Sequence, residues 1–176
     1  MTPNPRTIAI LGGAGKEGSG LALRWGYAGH RVLIGSRSAE RAEAAASELN
    51  AELATGPISG MTNGAAAAAA DLVVLTVPYA AQQETAMEVA AELAGKILVD
   101  VTAPLKPPRV SVVQLPEGGS AAVALQERLG DMVTVVAAFQ NISAHHLRDL
   151  DHVMDCDVLV SADDADAADQ VIALVN

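Results

Sequence analysis

The chain of 176 residues contains few aromatic side chains, with one Trp, two Tyr and one Phe, although 51% of its residues are hydrophobic. Its core must therefore consist of Ala, Val, Leu and Ile, a composition that suits helices packed tightly on a parallel sheet. It has a single cysteine, Cys156, which excludes a disulfide within the chain, and we expect a small buried residue there rather than a reactive thiol. This length predicts one domain, residues 1–176, with a sizeable core.

Basic residues are also scarce, because 11 Lys and Arg face 21 Asp and Glu, giving a net charge of −10. Without a basic patch or an aromatic stacking platform, the chain is not expected to bind nucleic acid. No apolar run reaches transmembrane length and residues 1–5 lack a signal-peptide pattern, so we expect a cytoplasmic protein without a membrane partner. The adjacent His145 and His146 are poor joint ligands on a helix, and the late acidic residues lack calcium-loop spacing, so no metal site is expected.

The most informative segment is the start of the chain, where a β-branched run at Thr7–Leu11 predicts a buried strand. Gly13, Gly15 and Gly18 follow with G-x-G-x-x-G spacing. The first glycine permits a tight turn, the second lets the backbone approach a pyrophosphate, and the third allows the next helix to pack on the sheet. Together with the free N–H groups of that helix, this arrangement predicts a dinucleotide site. The alternative is a purely structural turn.

The end of the second predicted strand indicates which dinucleotide is bound. NAD-binding proteins usually place an acid about 20 residues after the turn, where it binds the ribose 2′-hydroxyl. This chain instead has Ser36 and Arg37, with Arg41 one helical turn further on. A hydroxyl and two guanidinium groups suit a 2′-phosphate and therefore NADP. The alternative is a solvated face on which the arginines pair with Glu40 and Glu43.

The rest of the chain alternates apolar strands with helix-like segments, which predicts a doubly wound parallel α/β sheet, the Rossmann fold typical of NAD(P)-binding proteins. We predict strands at 7–11, 31–35, 58–60, 71–77, 97–101, 133–138 and 158–161, and, after the helix that follows the glycine turn, helices at 39–53, 64–70, 80–93, 121–129, 143–150 and 165–175. Ligands of such sheets bind beyond the carboxyl ends of the strands. We therefore expect the nicotinamide and its hydride partner among Thr76–Tyr79, Thr102–Pro104 and Phe139–Asn141.

With these residues assembled, the chain resembles the NADPH-dependent reductases of the deazaflavin coenzyme F420, the F420-dependent NADP oxidoreductases. The pieces that carry the resemblance are Leu11-Gly-Gly-Ala-Gly-Lys-Glu-Gly18, Ile34-Gly-Ser-Arg37, Ile58-Ser-Gly-Met-Thr-Asn63, Val74-Leu-Thr-Val-Pro78 and Ala138-Phe-Gln-Asn-Ile-Ser-Ala144. More distantly, the chain is similar to the cytosolic domain of six-transmembrane metalloreductases. The resemblance covers most of the chain.

The resemblance implies a cofactor site assembled from several strand ends. The family's phosphate loop falls on Ala14, Gly15, Lys16 and Glu17, and its 2′-phosphate contacts fall on Ser36, Arg37 and Arg41. Its Thr-x-Pro strand end falls on Thr76 and Pro78, the aromatic that follows near the cofactor falls on Tyr79, and Gln83 lies one helical turn on. The backbone of Ala144 falls beside the nicotinamide half. The implied reaction is hydride transfer between nicotinamide C4 and deazaflavin C5 in a homodimer, with NADP and coenzyme F420 as partners. Such a reaction needs orientation and water exclusion rather than a covalent nucleophile.

Several positions depart from the family pattern. Gln140 stands where archaeal members carry a histidine that positions the deazaflavin, and Pro57 replaces a serine near it. Gln140 and its neighbour Asn141 are the candidate residues at the reacting end, although no catalytic group is certain. Family members also continue for a few tens of residues beyond the position that corresponds to Asn176, and those residues help to form the substrate pocket and the dimer contact.

Three other functions fit parts of the same pattern. The hydride acceptor could be a flavin or a ferric chelate, as the metalloreductase similarity suggests. A chain that keeps the glycine turn but lacks a second pocket could be a non-catalytic NADP sensor. A dehydrogenase of a hydroxy acid or imine usually adds a helical substrate domain, for which 176 residues leave no room.

Overall fold

The computed structural model describes residues 5–53, 56–105, 108 and 111–175, and its centre is a seven-stranded sheet. The strands are β1 (Thr7–Leu11), β2 (Arg31–Ser36), β3 (Ile58–Thr62), β4 (Leu72–Leu75), β5 (Ile97–Asp100), β6 (Thr134–Ala138) and β7 (Val160–Ser161). Their order is β3-β2-β1-β4-β5-β6-β7, and the first six are parallel. The predicted doubly wound α/β fold is confirmed. The last strand, however, pairs antiparallel with β6.

The helices that connect these strands are α1 (Lys16–Tyr27), α2 (Ala39–Glu52), α3 (Asn63–Ala69), α4 (Gln82–Glu88), α5 (Ala121–Leu129), α6 (Ala144–Leu147) and α7 (Ala165–Ile172). A 3₁₀ turn at Tyr79–Ala81 precedes α4. Four of the described helices begin at side-chain caps, in which an oxygen accepts a hydrogen bond from the backbone N–H three residues later. The capping residues are Ser38, Thr62, Ser120 and Asp164. Within the described residues, no helix is long and apolar enough to cross a bilayer.

The core forms two apolar layers, one on each face of the sheet. Successive strand residues point to opposite faces, so Ile8 and Ile10 of β1 enter one layer while Ala9 and Leu11 enter the other. Few aromatic rings contribute, as the composition predicts. Trp25 meets Phe139 edge to face, with ring centroids 5.7 Å apart.

Several elements are shorter than the sequence predicts. The strand predicted at 71–77 covers only Leu72–Leu75, although Thr76 still donates to the Leu11 carbonyl with both its backbone N–H and its hydroxyl, each at 3.0 Å. The helix predicted at 80–93 gives way to turns after Glu88. The helix predicted at 143–150 covers only Ala144–Leu147. The Arg24 guanidinium donates to the carbonyl oxygens of His146, Leu147 and Asp149, which lie at and just after the end of this helix.

The expectation for Cys156 is wrong. Its side chain is exposed rather than buried, and it lies at the rim of an apolar cavity of ≈ 230 Å³ next to Trp25 and Phe139. The segment before β7 makes few regular backbone pairs, so this cysteine is not drawn into either layer of the core. Residues 1–4, part of the segment examined for a signal peptide, lie outside the described residues.

Candidate functional site

A cleft of ≈ 540 Å³ opens at the carboxyl edge of the sheet, where β1, β2 and β4 end. The chain moves outward from β1 in one direction through β2 and β3 and then returns to start β4 on the other side. This reversal is the switch point at which open α/β sheets bind ligands. Of the predicted cofactor residues, the cleft brings together Ala14, Gly15, Ser36, Arg37, Arg41, Thr76 and Pro78.

The glycine turn forms the floor of this cleft, and its glycines fill different roles. A Cβ added to Gly18 would lie 2.6 Å from both the Gly13 Cα and the Thr76 hydroxyl, so this glycine lets α1 seat against the turn. A Cβ added to Gly13 would lie 2.8 Å from the Ile10 carbonyl oxygen. Gly15, by contrast, meets only the Gly12 carbonyl oxygen at 3.2 Å and lines the cleft. Its open side is suited to the close approach of a pyrophosphate.

Two arginines line the cleft on the side of β2, and their charges are not neutralised. Arg37 follows β2 directly and Arg41 lies in the first turn of α2. Among the described residues, the only ion pair joins Arg148 to Glu52, so neither Arg37 nor Arg41 is paired with a carboxylate. The alternative in which Glu40 and Glu43 pair with these arginines is absent from the structure. Two free guanidinium groups in a cleft suit a phosphate ligand.

Four polar residues that line the cleft were not predicted from the sequence. Asn63 lines it from the start of α3, and Glu84, Thr85 and Glu88 line it from α4. The signal for Asn63 was its position directly after a strand end. The α4 residues had no such signal, because the 3₁₀ turn after Pro78 decides which face of the helix meets the cleft.

Buried polar atoms without partners cluster at the same edge. In the described part of the chain, three buried side-chain oxygens lack a hydrogen bond, namely Glu17 Oε1, Asn63 Oδ1 and Gln82 Oε1. Each belongs to the first or second residue of a helix that follows a strand at the carboxyl edge. Leaving a buried polar group unpaired costs about 1–3 kcal/mol. Of these three residues only Asn63 is among those that line the cleft, so a polar ligand bound there would supply its missing partner. The glycine floor and the arginines fit a dinucleotide carrying a 2′-phosphate.

Glu17 is the most perturbed of these groups. It lies in the first turn of α1, half-buried beside the glycine turn. Burial raises the pKa of its carboxyl to about 7. This group therefore changes charge near neutral pH, within the predicted phosphate loop.

A buried network lies at the ends of β5 and β6, beside the cleft. The Gln82 amide donates to the Asp100 carboxylate at 2.6 Å and to the Thr102 hydroxyl at 2.9 Å. Burial raises the pKa of Asp100, and the hydrogen bonds from Thr102 and Gln82 partly oppose that effect. The Gln140 amide donates to the Asp100 carbonyl oxygen at 2.7 Å. These bonds join the two strand ends on which the reacting end was predicted.

The candidate residues Gln140 and Asn141 follow a strained corner. Phe139 has a φ of 70°, a conformation that L side chains rarely adopt, and its ring packs on Trp25. The side-chain amide of Gln140 is engaged with Asp100, and that of Asn141 donates to the Asp157 carbonyl oxygen at 2.7 Å. Strain of this kind persists only where the surroundings enforce it. Both amides therefore hold the corner in place, which leaves their oxygens as acceptors.

The remaining predicted residues lie around the cleft rather than along it. Tyr79 is in the 3₁₀ turn after Pro78, and Gln83 accepts a hydrogen bond from Arg128 at 3.2 Å. Lys16 is exposed in the first turn of α1. Ala144 begins α6, and α6 packs on α1 so closely that a Cβ on Gly20 would lie 2.5 Å from the Leu147 Cβ. Across the described ranges, no three His, Cys, Asp or Glu side chains form a metal site.

Comparisons with known proteins agree with this geometry. The sequence profile of the family described as "NADP oxidoreductase coenzyme F420-dependent" matches residues 7–104. The F420-dependent NADP reductase of Methanothermobacter thermautotrophicus is 43% identical over 166 residues, which cover 91% of this chain and 72% of that protein. The enzyme of the same name from Methanocaldococcus jannaschii is 40% identical over 179 residues, covering 96% of this chain and 78% of that one.

A solved structure of a similar protein shares the fold of this chain. A protein of Arthrobacter sp. FB24, assigned as an F420-dependent NADP-reductase, superposes with a TM-score of 0.78 at 29% identity. The superposition covers 97% of this chain and 79% of that one.

Proposed function

Because the chain belongs to the coenzyme F420-dependent NADP oxidoreductase family, we propose that it transfers a hydride between NADP(H) and the deazaflavin coenzyme F420. The observation that carries this proposal is the cleft itself. The glycine turn forms its floor, and two arginines that form no ion pair with the described residues line it at the switch point of the sheet. The chain is also 43% and 40% identical to two F420-dependent NADP reductases.

We assign the parts of the dinucleotide to the strand ends around the cleft. The backbone of the turn, with Gly13, Ala14, Gly15, Lys16, Glu17 and Gly18, would hold the pyrophosphate at the start of α1. Ser36, Arg37 and Arg41 would hold the 2′-phosphate. Thr76, Pro78, Tyr79 and Gln83 would follow the cofactor toward its nicotinamide half, where the backbone of Ala144 would meet it.

The nicotinamide, when bound, supplies the hydride chemistry, and the protein supplies position. The described residues around the cleft hold no nucleophile paired with a base, so the chain orients the two rings and excludes water. Gln140 and Asn141 would line the place where the rings meet. Because their amide N–H groups are already bonded to carbonyl oxygens, we propose that they position the acceptor rather than exchange a proton.

We also propose a domain organisation, an oligomeric state and a cellular location for this protein. Residues 1–176 would act as one NADP-binding domain within a cytoplasmic homodimer, as membership of the family suggests. Exposed apolar side chains support an interface near β7, because Val153 and Leu159 are 86% and 68% exposed. Sedimentation equilibrium tests the assembly, since a dimer has twice the 17.9 kDa mass of the chain.

The direct test is NADPH oxidation at saturating cofactor, with F420, FMN and ferric citrate each added as the acceptor. We expect turnover with F420 and little or none with the other two. Turnover with FMN or ferric citrate alone would contradict the proposal. Tight NADPH binding without turnover on any acceptor would instead indicate a sensor.

A further inference from the structure

Asn63 occupies an unusual position at the edge of the cleft. It is the first residue of α3 and lines the cleft together with Ser36 and Arg37. Only 8% of its surface is exposed, and its Oδ1 is buried without a hydrogen-bond partner. A carboxamide placed in this way costs stability unless a ligand completes its hydrogen bonds.

The end of β2 is shaped around this carboxamide. A Cβ added to Gly35 would lie 2.9 Å from the Asn63 Oδ1 and 3.0 Å from the Leu11 Cδ2. The strand register pairs Ser36 with Thr62, so Asn63 comes directly after the residue beside Ser36. The carboxamide therefore lies against the strand end that contacts the adenosine ribose in dinucleotide-binding folds.

Helix capping does not explain why an amide is present. The hydroxyl of Thr62 already caps α3 by accepting a hydrogen bond from the Ala65 N–H at 3.3 Å. Residues 65–69 of this helix are all alanine, and alanine at its first position would favour the helical conformation more than asparagine does. Among the residues that the structure describes, Asn63 Oδ1 has no hydrogen-bond partner that would justify its polarity.

We propose that Asn63 is a specificity-determining residue that recognises the 2′-phosphoribose of NADP, an inference that rests on the proposed function. An amide is both a donor and an acceptor, so it can donate to a phosphate oxygen and accept from a sugar hydroxyl. It adds a neutral contact to the charged ones of Arg37 and Arg41. A carboxylate at this position would repel the phosphate while still accepting from hydroxyl groups.

Calorimetric titration with adenosine 2′,5′-bisphosphate and with ADP tests the inference without any turnover. We expect Asn63→Ala to weaken the bisphosphate about tenfold, the loss of one hydrogen bond to a charged group. Asn63→Asp should weaken it about 100-fold and leave ADP within about threefold, because only the bisphosphate places a charge beside the new carboxylate. The matched control is Thr62→Ala, which removes the helix cap but keeps the carboxamide and should change neither affinity by more than about threefold.

Each outcome decides the question. Equal losses of both nucleotides in Asn63→Asp at an unchanged melting temperature, or wild-type affinities in both variants, would overturn the inference alone. If the wild type binds neither nucleotide, the inference and the proposed function both fail. Asn63→Ser replaces Asn63→Ala if the latter does not fold, because serine suits a helix start and is too short to reproduce the amide contacts.

Discussion

Arg37 and Arg41 line the cleft and form no ion pair with any carboxylate in the described part of the chain, so their charge is available to a ligand. We predict that Arg37→Ala weakens NADPH binding about 10- to 100-fold, because a charge-assisted hydrogen bond contributes about 1.5–3 kcal/mol. NADH lacks the 2′-phosphate and should bind within about threefold of the wild type. Fluorescence titration with both nucleotides measures the difference.

The control for this variant comes from the same strand. Arg31 is exposed at the opposite end of β2, away from the carboxyl edge, so Arg31→Ala removes one positive charge without touching the cleft. It should leave both affinities unchanged. Equal losses of NADPH and NADH in Arg37→Ala would mean that this arginine does not contact a 2′-phosphate.

Glu17 gives a second prediction at the scale of a single residue. Burial raises the pKa of its carboxyl from 4.5 to about 7, so between these values the folded state binds more protons than the unfolded state. Stability therefore falls as the pH rises through this window. Glu17→Gln cannot ionise and escapes the penalty, so it should be more stable than the wild type at pH 8 by about 1 kcal/mol, a value reduced for partial solvent exposure.

Urea unfolding at about pH 4.5 and pH 8 measures this difference. Near pH 4.5 the two proteins should have nearly the same free energy of unfolding, because the wild-type carboxyl is then protonated in the folded state. Glu48→Gln, an exposed position on α2, controls for the general loss of one negative charge. A constant gap between Glu17→Gln and the wild type at both pH values would contradict the argument.

At the scale of elements, the contact between β3 and α2 depends on Gly60. A Cβ added there would overlap the backbone of Ala42 and Glu43, which cannot rotate away as a side chain can. We predict that Gly60→Ala lowers the free energy of unfolding by about 2–3 kcal/mol. Gly64→Ala adds the same methyl group in α3 where nothing lies within 4 Å, and it should raise stability by about 0.5–1 kcal/mol. Thermal and urea unfolding of both variants test the pair, and equal effects would show that α2 can move aside.

The elements also show how far a sequence can predict this molecule. The glycine turn, the apolar runs and the breakers predicted the fold, and α5 begins and ends at the predicted residues. The surroundings of the α6 end could not be predicted, because its carbonyls accept hydrogen bonds from Arg24, which is more than one hundred residues earlier in the chain. The antiparallel direction of β7 was equally hidden, since direction depends on how the preceding loop returns to the sheet.

In the site, too, some residues could be identified from the local sequence, whereas the position of others depends on how the elements pack. Residues at strand ends, such as Ser36, Arg37 and Thr76, could be identified because parallel strands bring their carboxyl ends to one edge. Glu84 and Glu88 could not, because the turn before α4 sets which helix face meets the cleft. The burial of Glu17 is likewise a property of packing and leaves no trace in the local sequence.

At the scale of the whole molecule, a net charge of −10 opposes the binding of an anionic dinucleotide. Attraction must therefore be local, and the unpaired arginines beside the glycine floor provide it. Since charges further apart than about 8–10 Å are largely screened at physiological salt, acidic residues beyond that range weaken binding little, whereas Glu84 and Glu88, which line the cleft, oppose it. The cleft can thus hold a phosphate-rich ligand within an acidic protein.

Binding to the folded state alone must raise its stability, which makes the melting temperature a measure of the whole cleft. At a concentration of 100 times its dissociation constant, NADPH should add about 2.7 kcal/mol and raise the melting temperature by roughly 5–10 °C. The same concentration of NADH should give a clearly smaller rise in the wild type, and NADPH should give a similarly small rise in Arg37→Ala. Scanning calorimetry of both proteins with each nucleotide makes the comparison. Because the linkage depends only on the difference in affinity, equal rises with NADPH and NADH in the wild type would exclude a 2′-phosphate site at the end of β2, whatever the reaction catalysed.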